Sequence, residues 1–164
     1  MLRWLWLSAV VIGLDQATKF LASTSLVLYE PRPVTPFFNL TLMHNTGAAF
    51  SFLSDAAGWQ RWFFVVIALG ISGAVAVWLY RLRPGQTWLA AALALILGGA
   101  LGNVWDRITL GYVVDFIELY YHRWHWPAFN VADSAISVGA AMLVLDGLGL
   151  LHHRPHHSRG AGSD

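Results

Sequence analysis

The chain of 164 residues is 57% hydrophobic and only 12% charged, and its mean hydropathy is +0.54. A soluble domain carries about 25% charged residues, so this composition indicates an integral membrane protein of one domain. The net charge of +1 gives no basis for binding nucleic acid, and the absence of cysteine excludes disulfides, thiol nucleophiles and thiolate metal sites.

The first predicted element is a membrane span over about residues 4–22. Its apolar run follows a single Arg3, and the helix can continue through Asp15 and Lys19. A basic start and a short apolar run also occur in secretory signal peptides. Because Asp15 and Lys19 would separate the apolar run from any cleavage site, the pattern favours a retained span.

The next segment, residues 24–60, is too long and too polar to be a turn between two spans. Prolines mark irregular structure, and the apolar alternation that follows them is typical of short strands. The residues concerned are Pro31, Pro33, Pro36, Phe38, Leu40 and Leu42. The pattern predicts a small β-rich platform outside the membrane.

Three further spans are predicted at about residues 62–80, 88–106 and 132–151. The first is an uncharged run with a helical length of roughly 28 Å, which nearly matches a hydrocarbon core of roughly 30 Å. The chain is therefore predicted to be a mainly α-helical membrane protein with four transmembrane helices. Its single membrane-embedded domain covers residues 1–151, and a polar tail follows over residues 152–164.

The distribution of basic residues predicts the orientation. With four spans, five arginines fall on one side of the membrane: Arg3, Arg81, Arg83, Arg154 and Arg159. That side is expected to be cytoplasmic, so both termini lie inside. The platform at 24–60 and the segment at 107–130 then face outward.

Four ionisable residues are expected near this outer face. A continuous helix from Trp88 to Asp115 would measure about 40 Å, so Asp115 lies at or beyond the outer boundary. Asp133 opens the fourth span from the same side, and Asp15 and Lys19 lie toward the outer half of the first. Carboxylates beside hydrocarbon are costly unless they pair, reach water or do chemistry.

Two aspartates at a membrane boundary suit hydrolysis of an amide bond without a covalent intermediate. Repulsion between carboxyls that share a site raises the proton affinity of one, so the pair holds one proton near neutral pH. The ionised member takes a proton from the attacking water, while the protonated member stabilises the carbonyl oxygen and then serves the leaving amine. The sequence has no cysteine, HExxH or GxSxG motif that would offer a competing catalytic set.

Structural roles compete with this interpretation. Asn130 and Asp133 are spaced as the N-cap and N3 residues of the fourth helix, and spacing alone favours capping over catalysis. Asp106 beside Arg107 suits an ion pair at the membrane interface. The GxxxG pattern at residues 98–102 permits close helix packing and predicts no chemistry.

Five sequence blocks follow one another in a characteristic order: DQATK at 15–19, NTGAAFSFL at 45–53, GGALGNVWDR at 98–107, VVDF at 113–116 and FNVADS at 129–134. In these blocks the chain resembles the bacterial lipoprotein signal peptidases, the signal peptidase II family of membrane aspartyl proteases. The resemblance extends from Asp15 to about Gly147. Each block alone is weak, but all five in order on a chain of four spans are specific.

The resemblance implies a role for each matching residue. Asp115 and Asp133 correspond to the catalytic pair of the family. Five residues correspond to positions that shape the site or hold the substrate: Asn45, Gly47, Asn103, Arg107 and Asn130. Asp15 and Lys19 are expected to have a supporting rather than a chemical role, and no metal or cofactor is implied.

The resemblance also implies a substrate and a location. The substrate would be a prolipoprotein that carries diacylglycerol on its lipobox cysteine, cut just before that cysteine in the bacterial inner membrane. Membrane lipids would be the other partners, and the protein would be a monomer with its active site at the outer face. The segment at 107–130 would include an aromatic flap over the site.

Other classes remain open at this point. A small transporter or channel would also place ionisable residues within spans, although it would more often show an internal repeat, and none is found. A non-enzymatic membrane scaffold would explain the glycines and aromatic belts but not the paired aspartates. A presenilin-type protease would share the chemistry, but its YD and GxGD signatures are absent from the spans.

Overall fold

The computed structural model describes residues 2–47 and 59–149. Within these ranges the elements in chain order are α1 (Leu5–Ser25), β1 (Pro31–Thr35), β2 (Phe38–Asn45), α2 (Trp59–Arg81), α3 (Thr87–Thr109), β3 (Val113–Tyr121), β4 (Trp124–His125) and α4 (Val131–Gly147). The NTGAAFSFL block beyond Gly47, the predicted end of the fourth span at 151 and the predicted tail over 152–164 lie outside the described residues.

Helix α3 is the central helix and packs against each of the other three helices. Its small residues permit this close packing. A Cβ on Gly98 would lie 2.9 Å from the backbone oxygen of Ser8 in α1, and a Cβ on Gly102 would lie 2.7 Å from Oδ2 of Asp15. The close packing predicted from the GxxxG pattern is therefore confirmed, with α1 as the partner.

Helix α2 lies at the periphery of the bundle. Many of its large apolar side chains are exposed, including Trp62, Val66, Ile71 and Tyr80. Of the most apolar 18-residue stretch of α2 only 22% is buried, against 56% of the corresponding stretch of α3. A helix that is apolar all round and mostly uncovered by protein suits contact with lipid.

The predicted count of four membrane spans is not confirmed. Within the described residues, three helical segments are long and apolar enough to cross a membrane: Leu2–Ser25, Trp59–Arg81 and Thr87–Thr109. Helix α4 has 17 residues and a length of about 26 Å, slightly less than a hydrocarbon core of roughly 30 Å. The structure is thus mainly helical and carries one small antiparallel sheet.

The sheet joins two segments that are far apart in the sequence. Its strand order is β1-β2-β3-β4, and β3 pairs antiparallel with β2, with Asn39 opposite Glu118 and Met43 opposite Asp115. The predicted outer platform at 24–60 and the predicted outer segment at 107–130 therefore share one sheet. Whether part of 107–130 moves as a flap stays a prediction.

Two local features explain where the sheet ends and what it packs against. Strand β1, which contains Pro31 and Pro33, is an edge strand. This is expected because proline has no backbone N–H to donate to a neighbouring strand. The inner face of the sheet packs on the end of α1. This contact is an apolar cluster of Ala22, Leu42, Val114 and Phe116, and it places β3 next to the helix bundle.

Substitution of Gly99 by alanine tests the packing of α3 against α4. An added Cβ would overlap the backbone oxygen of Ala132 and lie 2.8 Å from Cγ1 of Ile136. We expect Gly99→Ala to lower the free energy of unfolding by about 1–3 kcal/mol, measured by thermal unfolding in detergent. Gly70→Ala is the matched control, since nothing lies within 4 Å of its Cβ position. Because alanine favours the helix over glycine, this variant should raise the free energy of unfolding by up to about 1 kcal/mol. Equal stability of the two variants would contradict this packing.

Candidate active site

Asn130 is the N-cap residue of α4 and contacts both predicted catalytic aspartates. Its side-chain oxygen accepts from the backbone N–H of Asp133 at 2.9 Å, and its own backbone N–H donates to Oδ2 of Asp133 at 3.3 Å. This is a capping box, so the predicted N-cap and N3 roles are confirmed. The side-chain nitrogen of Asn130 donates to Oδ1 of Asp115 at 2.7 Å. The carboxyls of Asp115 and Asp133, called the carboxyl pair below, therefore meet at one residue.

Asp115 lies in β3, where the sheet meets the bundle, and is only 2% exposed. Its second oxygen accepts from the side-chain nitrogen of Asn45 at 2.9 Å. The oxygen of Asn45 accepts from the backbone N–H of Gly47 at 2.9 Å. Gly47 has a φ of +84°, and a Cβ there would lie 2.5 Å from the ring of Phe64. The position therefore requires glycine, and its turn orients Asn45 toward Asp115.

Asp133 lies in the first turn of α4 and is half-buried. Its Oδ1 accepts from the side-chain nitrogen of Asn103 in α3 at 2.7 Å. The side-chain oxygen of Asn103 accepts from the ammonium of Lys19 at 2.9 Å. The carboxyl of Asp133 is thus connected through one amide to a cation on α1.

Lys19 is the centre of a buried polar cluster next to the carboxyl pair. Its ammonium forms ion pairs with Oδ2 of Asp15 at 2.8 Å and with Oδ2 of Asp106 at 2.9 Å. The side chain of Gln16 donates to Asp106 at 2.8 Å and to Asp15 at 3.2 Å. The predicted ion pair between Asp106 and its neighbour Arg107 is wrong, because Asp106 points into the bundle and pairs with Lys19.

The same cluster connects α1 to the elements that carry the carboxyl pair. Oδ1 of Asp15 accepts from the backbone N–H of Ala132 at 2.9 Å, at the start of α4. Oδ2 of Asp106 accepts from the backbone N–H of Val114 at 3.1 Å, directly before Asp115. The cluster therefore fixes the backbone beside each member of the pair.

Arg107 lies on α3 one turn beyond Asn103, whose backbone oxygen accepts from it at 3.4 Å. Its guanidinium carbon is 5.5 Å from the ring centroid of Phe64, a cation–π distance. Arg107, Asn103 and Phe64 line a cavity of about 230 Å³ whose other walls are apolar side chains of α2, α3 and α4. A second cavity, of about 480 Å³, lies against Asp133 on the side of Trp126 and Phe129.

Burial raises the pKa of Asp115 from its ordinary range to about 6, and the negative charge of Asp133 acts in the same direction. The hydrogen bonds from Asn45 and Asn130 oppose the rise because they stabilise the carboxylate. A carboxyl with a pKa of about 6 exchanges its proton near neutral pH. This is the behaviour needed for acid and base chemistry.

A second buried carboxyl in the sheet has a different environment. Glu118 accepts from Thr41 at 2.6 Å and from Asn39 at 3.1 Å, and it contacts Nδ1 of His125 at 2.8 Å. Desolvation raises the pKa of Glu118, but these three partners outweigh it, so the pKa is lowered. A carboxylate held ionised by three partners suits a structural role that links β2, β3 and β4.

All nine predicted site residues lie in this region of the structure, and contacts between neighbours connect them. They are Asp15, Lys19, Asn45, Gly47, Asn103, Arg107, Asp115, Asn130 and Asp133. The sequence does not single out Gln16 or Phe64, and it predicts Asp106 only as the ion-pair partner of Arg107. Gln16 and Asp106 could have been recognised, since Gln16 lies in a matched block and Asp106 lies three residues after Asn103 on the same helical face. Phe64 carried no local signal.

The chain matches known proteins over most of its length. A family model described as signal peptidase (SPase) II matches residues 7–149. A protein of Pseudomonas putida named lipoprotein signal peptidase is 58% identical over 147 residues, which cover 88% of this chain and 86% of that protein. A protein of the same name from Pseudomonas aeruginosa is 56% identical over 147 residues, covering 88% and 87%.

Solved structures agree with the sequence matches. One described as a bacterial membrane enzyme superposes with a TM-score of 0.79 at 30% identity, covering 93% of this chain and 94% of that chain. A second with the same description has a TM-score of 0.80 at 29% identity, covering 93% and 92%.

The pKa of Asp115 predicts a pH dependence of stability. Because this pKa is about 6 in the folded chain and about 3.9 in an unfolded one, the folded state binds more protons between these values. Stability should therefore fall as pH rises from 4 to 6, by up to about 3 kcal/mol. Thermal unfolding across this range should show the fall in the wild type and a flatter profile in Asp115→Asn. Parallel profiles for the two proteins would contradict the raised pKa.

Proposed function

Because the chain belongs to the signal peptidase II family, and so removes signal peptides from prolipoproteins, we propose that Asp115 and Asp133 are its catalytic pair. The chain is a multi-pass peptidase of the bacterial inner membrane. Its membership of a peptidase family favours this function over the transporter and scaffold interpretations. The aspartic mechanism and the roles of individual residues are our proposals.

The position of Asn130 is the observation that carries the mechanism. Its side chain donates to Asp115, and its backbone N–H donates to Asp133. Because carboxyls that share a site repel each other when both are ionised, we propose that this pair holds one proton. Such a pair can act as acid and base at once, without a metal, a cofactor or a covalent intermediate.

The reaction begins when the ionised carboxyl accepts a proton from water as the water attacks the scissile carbonyl. The protonated carboxyl donates a hydrogen bond to the carbonyl oxygen and later gives its proton to the leaving amine. Asn45, Asn103 and Asn130 donate to the pair and hold it in position throughout. Arg107 is available to hold the substrate, because its guanidinium lines the cavity beside Asn103.

We propose that the substrate is a prolipoprotein with diacylglycerol on its lipobox cysteine and that the cut falls just before this cysteine. Its signal helix and acyl chains are apolar and partition into the bilayer, which leaves the scissile bond at the boundary. Two largely apolar cavities suit such a substrate: one is lined by Asp133, and the other by Asn103, which donates to Asp133.

For the membrane arrangement, we propose that α4 is a fourth span that begins at the outer face beside Asp133. Both termini then lie in the cytoplasm, and the sheet lies at the outer surface with Asp115. A helix of about 26 Å can be accommodated by local thinning of the bilayer. We further propose that the protein acts as a monomer, because the described residues of one chain supply all nine site residues.

Replacing either aspartate should abolish cleavage. We expect Asp115→Asn and Asp133→Asn to lower kcat by roughly a thousandfold, because each removes the shared proton chemistry. The measurement is cleavage of a diacylglyceryl-modified prolipoprotein by purified protein in detergent, with the cut located by mass spectrometry. Asp146→Asn is the matched control, since Asp146 lies in the last turn of α4, and it should cut at the wild-type rate. Full cleavage by either folded site variant would refute the pair.

A further inference from the structure

The three asparagines around the carboxyl pair share a pattern of hydrogen bonds. In each, the side-chain oxygen accepts at 2.9 Å from a group that can only donate. The three pairs are Asn45 with the backbone N–H of Gly47, Asn130 with the backbone N–H of Asp133, and Asn103 with the ammonium of Lys19. An amide whose oxygen is held in this way must turn its N–H₂ group the other way.

In each asparagine the nitrogen turned away from that donor meets a carboxylate. Asn45 and Asn130 donate to Asp115 at 2.9 and 2.7 Å, and Asn103 donates to Asp133 at 2.7 Å. The backbone fixes the first two amides. Only the amide that serves Asp133 depends on a side chain, and this side chain comes from another helix.

We propose that Lys19 is a positioning residue for catalysis, whose ammonium orients the amide of Asn103 so that its N–H donates to Asp133. This inference rests on the proposed catalytic pair and assigns Lys19 more than a role in holding the helices together. An amide that turned over would present its oxygen to the carboxylate of Asp133. That contact is repulsive and would weaken the ionised form of the pair.

Lys19 acts on Asp133 by orienting the amide of Asn103 rather than through its own charge. The ammonium has three N–H donors, and Asp15, Asp106 and Asn103 take all three. Two carboxylates therefore already compensate its charge. Because Lys19 is 3% exposed, water has little access to replace the contact with Asn103.

A second donor to Asn103 is weaker than Lys19. The side-chain nitrogen of Asn130 lies 3.2 Å from the oxygen of Asn103. The same nitrogen lies 2.7 Å from Asp115 and 3.3 Å from the backbone oxygen of Val114, so two N–H bonds serve three acceptors. Loss of Lys19 would therefore leave the side-chain oxygen of Asn103 with one long, shared hydrogen bond.

The charged groups around the carboxyl pair come from three elements. Arg107 of α3 and Asp115 of β3 interact electrostatically with Asp133. Lys19 of α1, which is paired with Asp15 and Asp106, interacts with Asp115. A substitution at Lys19 changes both this charge set and the orientation of the amide. A substitution at Asn103 changes the amide alone. The two effects are separated by combining the substitutions.

The test is a double-mutant cycle with Lys19→Met, Asn103→Leu and the double variant, assayed on diacylglyceryl-modified prolipoprotein. We expect each single variant to lower kcat by about 10–100-fold with little change in KM. Each should move the acidic limb of the pH profile upward by about one unit, because the ionised pair loses a donor. If Lys19 acts through Asn103, the double variant is no slower than Asn103→Leu alone.

Ser8→Ala is the matched control for a purely structural role. The side-chain hydroxyl of Ser8 on α1 donates to the backbone oxygen of Ala94 on α3 at 2.7 Å, and Ser8 is 4% exposed. We expect this variant to lower the melting temperature while its kcat and acidic limb stay at wild-type values. If Lys19→Met behaves like Ser8→Ala, or if the two single effects multiply, the positioning role is overturned.

Asn103→Asp keeps the inference testable if Lys19→Met does not fold. The ammonium of Lys19 would still hold one oxygen at position 103, but the other would face Asp133 without its N–H, so kcat should fall and the acidic limb should rise. An unchanged pH profile would overturn the inference. Failure of the proposed function would look different, because Asp115→Asn would then still cut.

Discussion

The hydrogen bonds of Asn130 are the constraint on which the site depends. This residue caps the N-terminus of α4, holds Asp133 through its backbone N–H and holds Asp115 through its side chain. The carboxyl pair can therefore form only when the sheet and α4 are both in place. Capping and catalysis, which compete as explanations in the sequence, are compatible in the structure, because the cap brings Asp133 to Asp115.

The buried cluster around Lys19 provides the support that Asn130 needs. In an apolar environment each polar group must find a partner within the protein. Asp15 and Asp106 satisfy this requirement by accepting from Lys19, and each also accepts from a backbone N–H beside the carboxyl pair. The contacts that compensate the buried charges therefore also hold α1, α3, α4 and β3 in place around the site.

The helices and the candidate site were predictable from the sequence because their signals are local. Apolar runs mark the spans, the Asn130–Asp133 spacing marks the cap, and the matched blocks mark the site residues. Pairings over long distances were less accessible. Strands β2 and β3 pair although two membrane helices separate them in the sequence. The sequence therefore predicts the platform and the later outer segment as separate parts.

The ion pairs inside the helix bundle were also not predictable from neighbouring residues in the sequence. Adjacent residues on a helix point in different directions, so the charge next to Asp106 in sequence is not its partner in space. Its ion pair is with Lys19 on α1, which is visible only after the helices have packed. The contact of Phe64 with the position of Gly47 and with Arg107 is of the same kind.

Cleavage by Asn130→Asp tests the central role of Asn130 most directly. Aspartate caps a helix as well as asparagine does, so α4 should still begin at this residue, but an oxygen would replace the N–H that Asp115 accepts. We expect the purified, folded variant to cut diacylglyceryl-modified prolipoprotein at least about a hundredfold more slowly than wild type. Wild-type cleavage by this variant would show that the carboxyl pair does not depend on Asn130 and would contradict the mechanism.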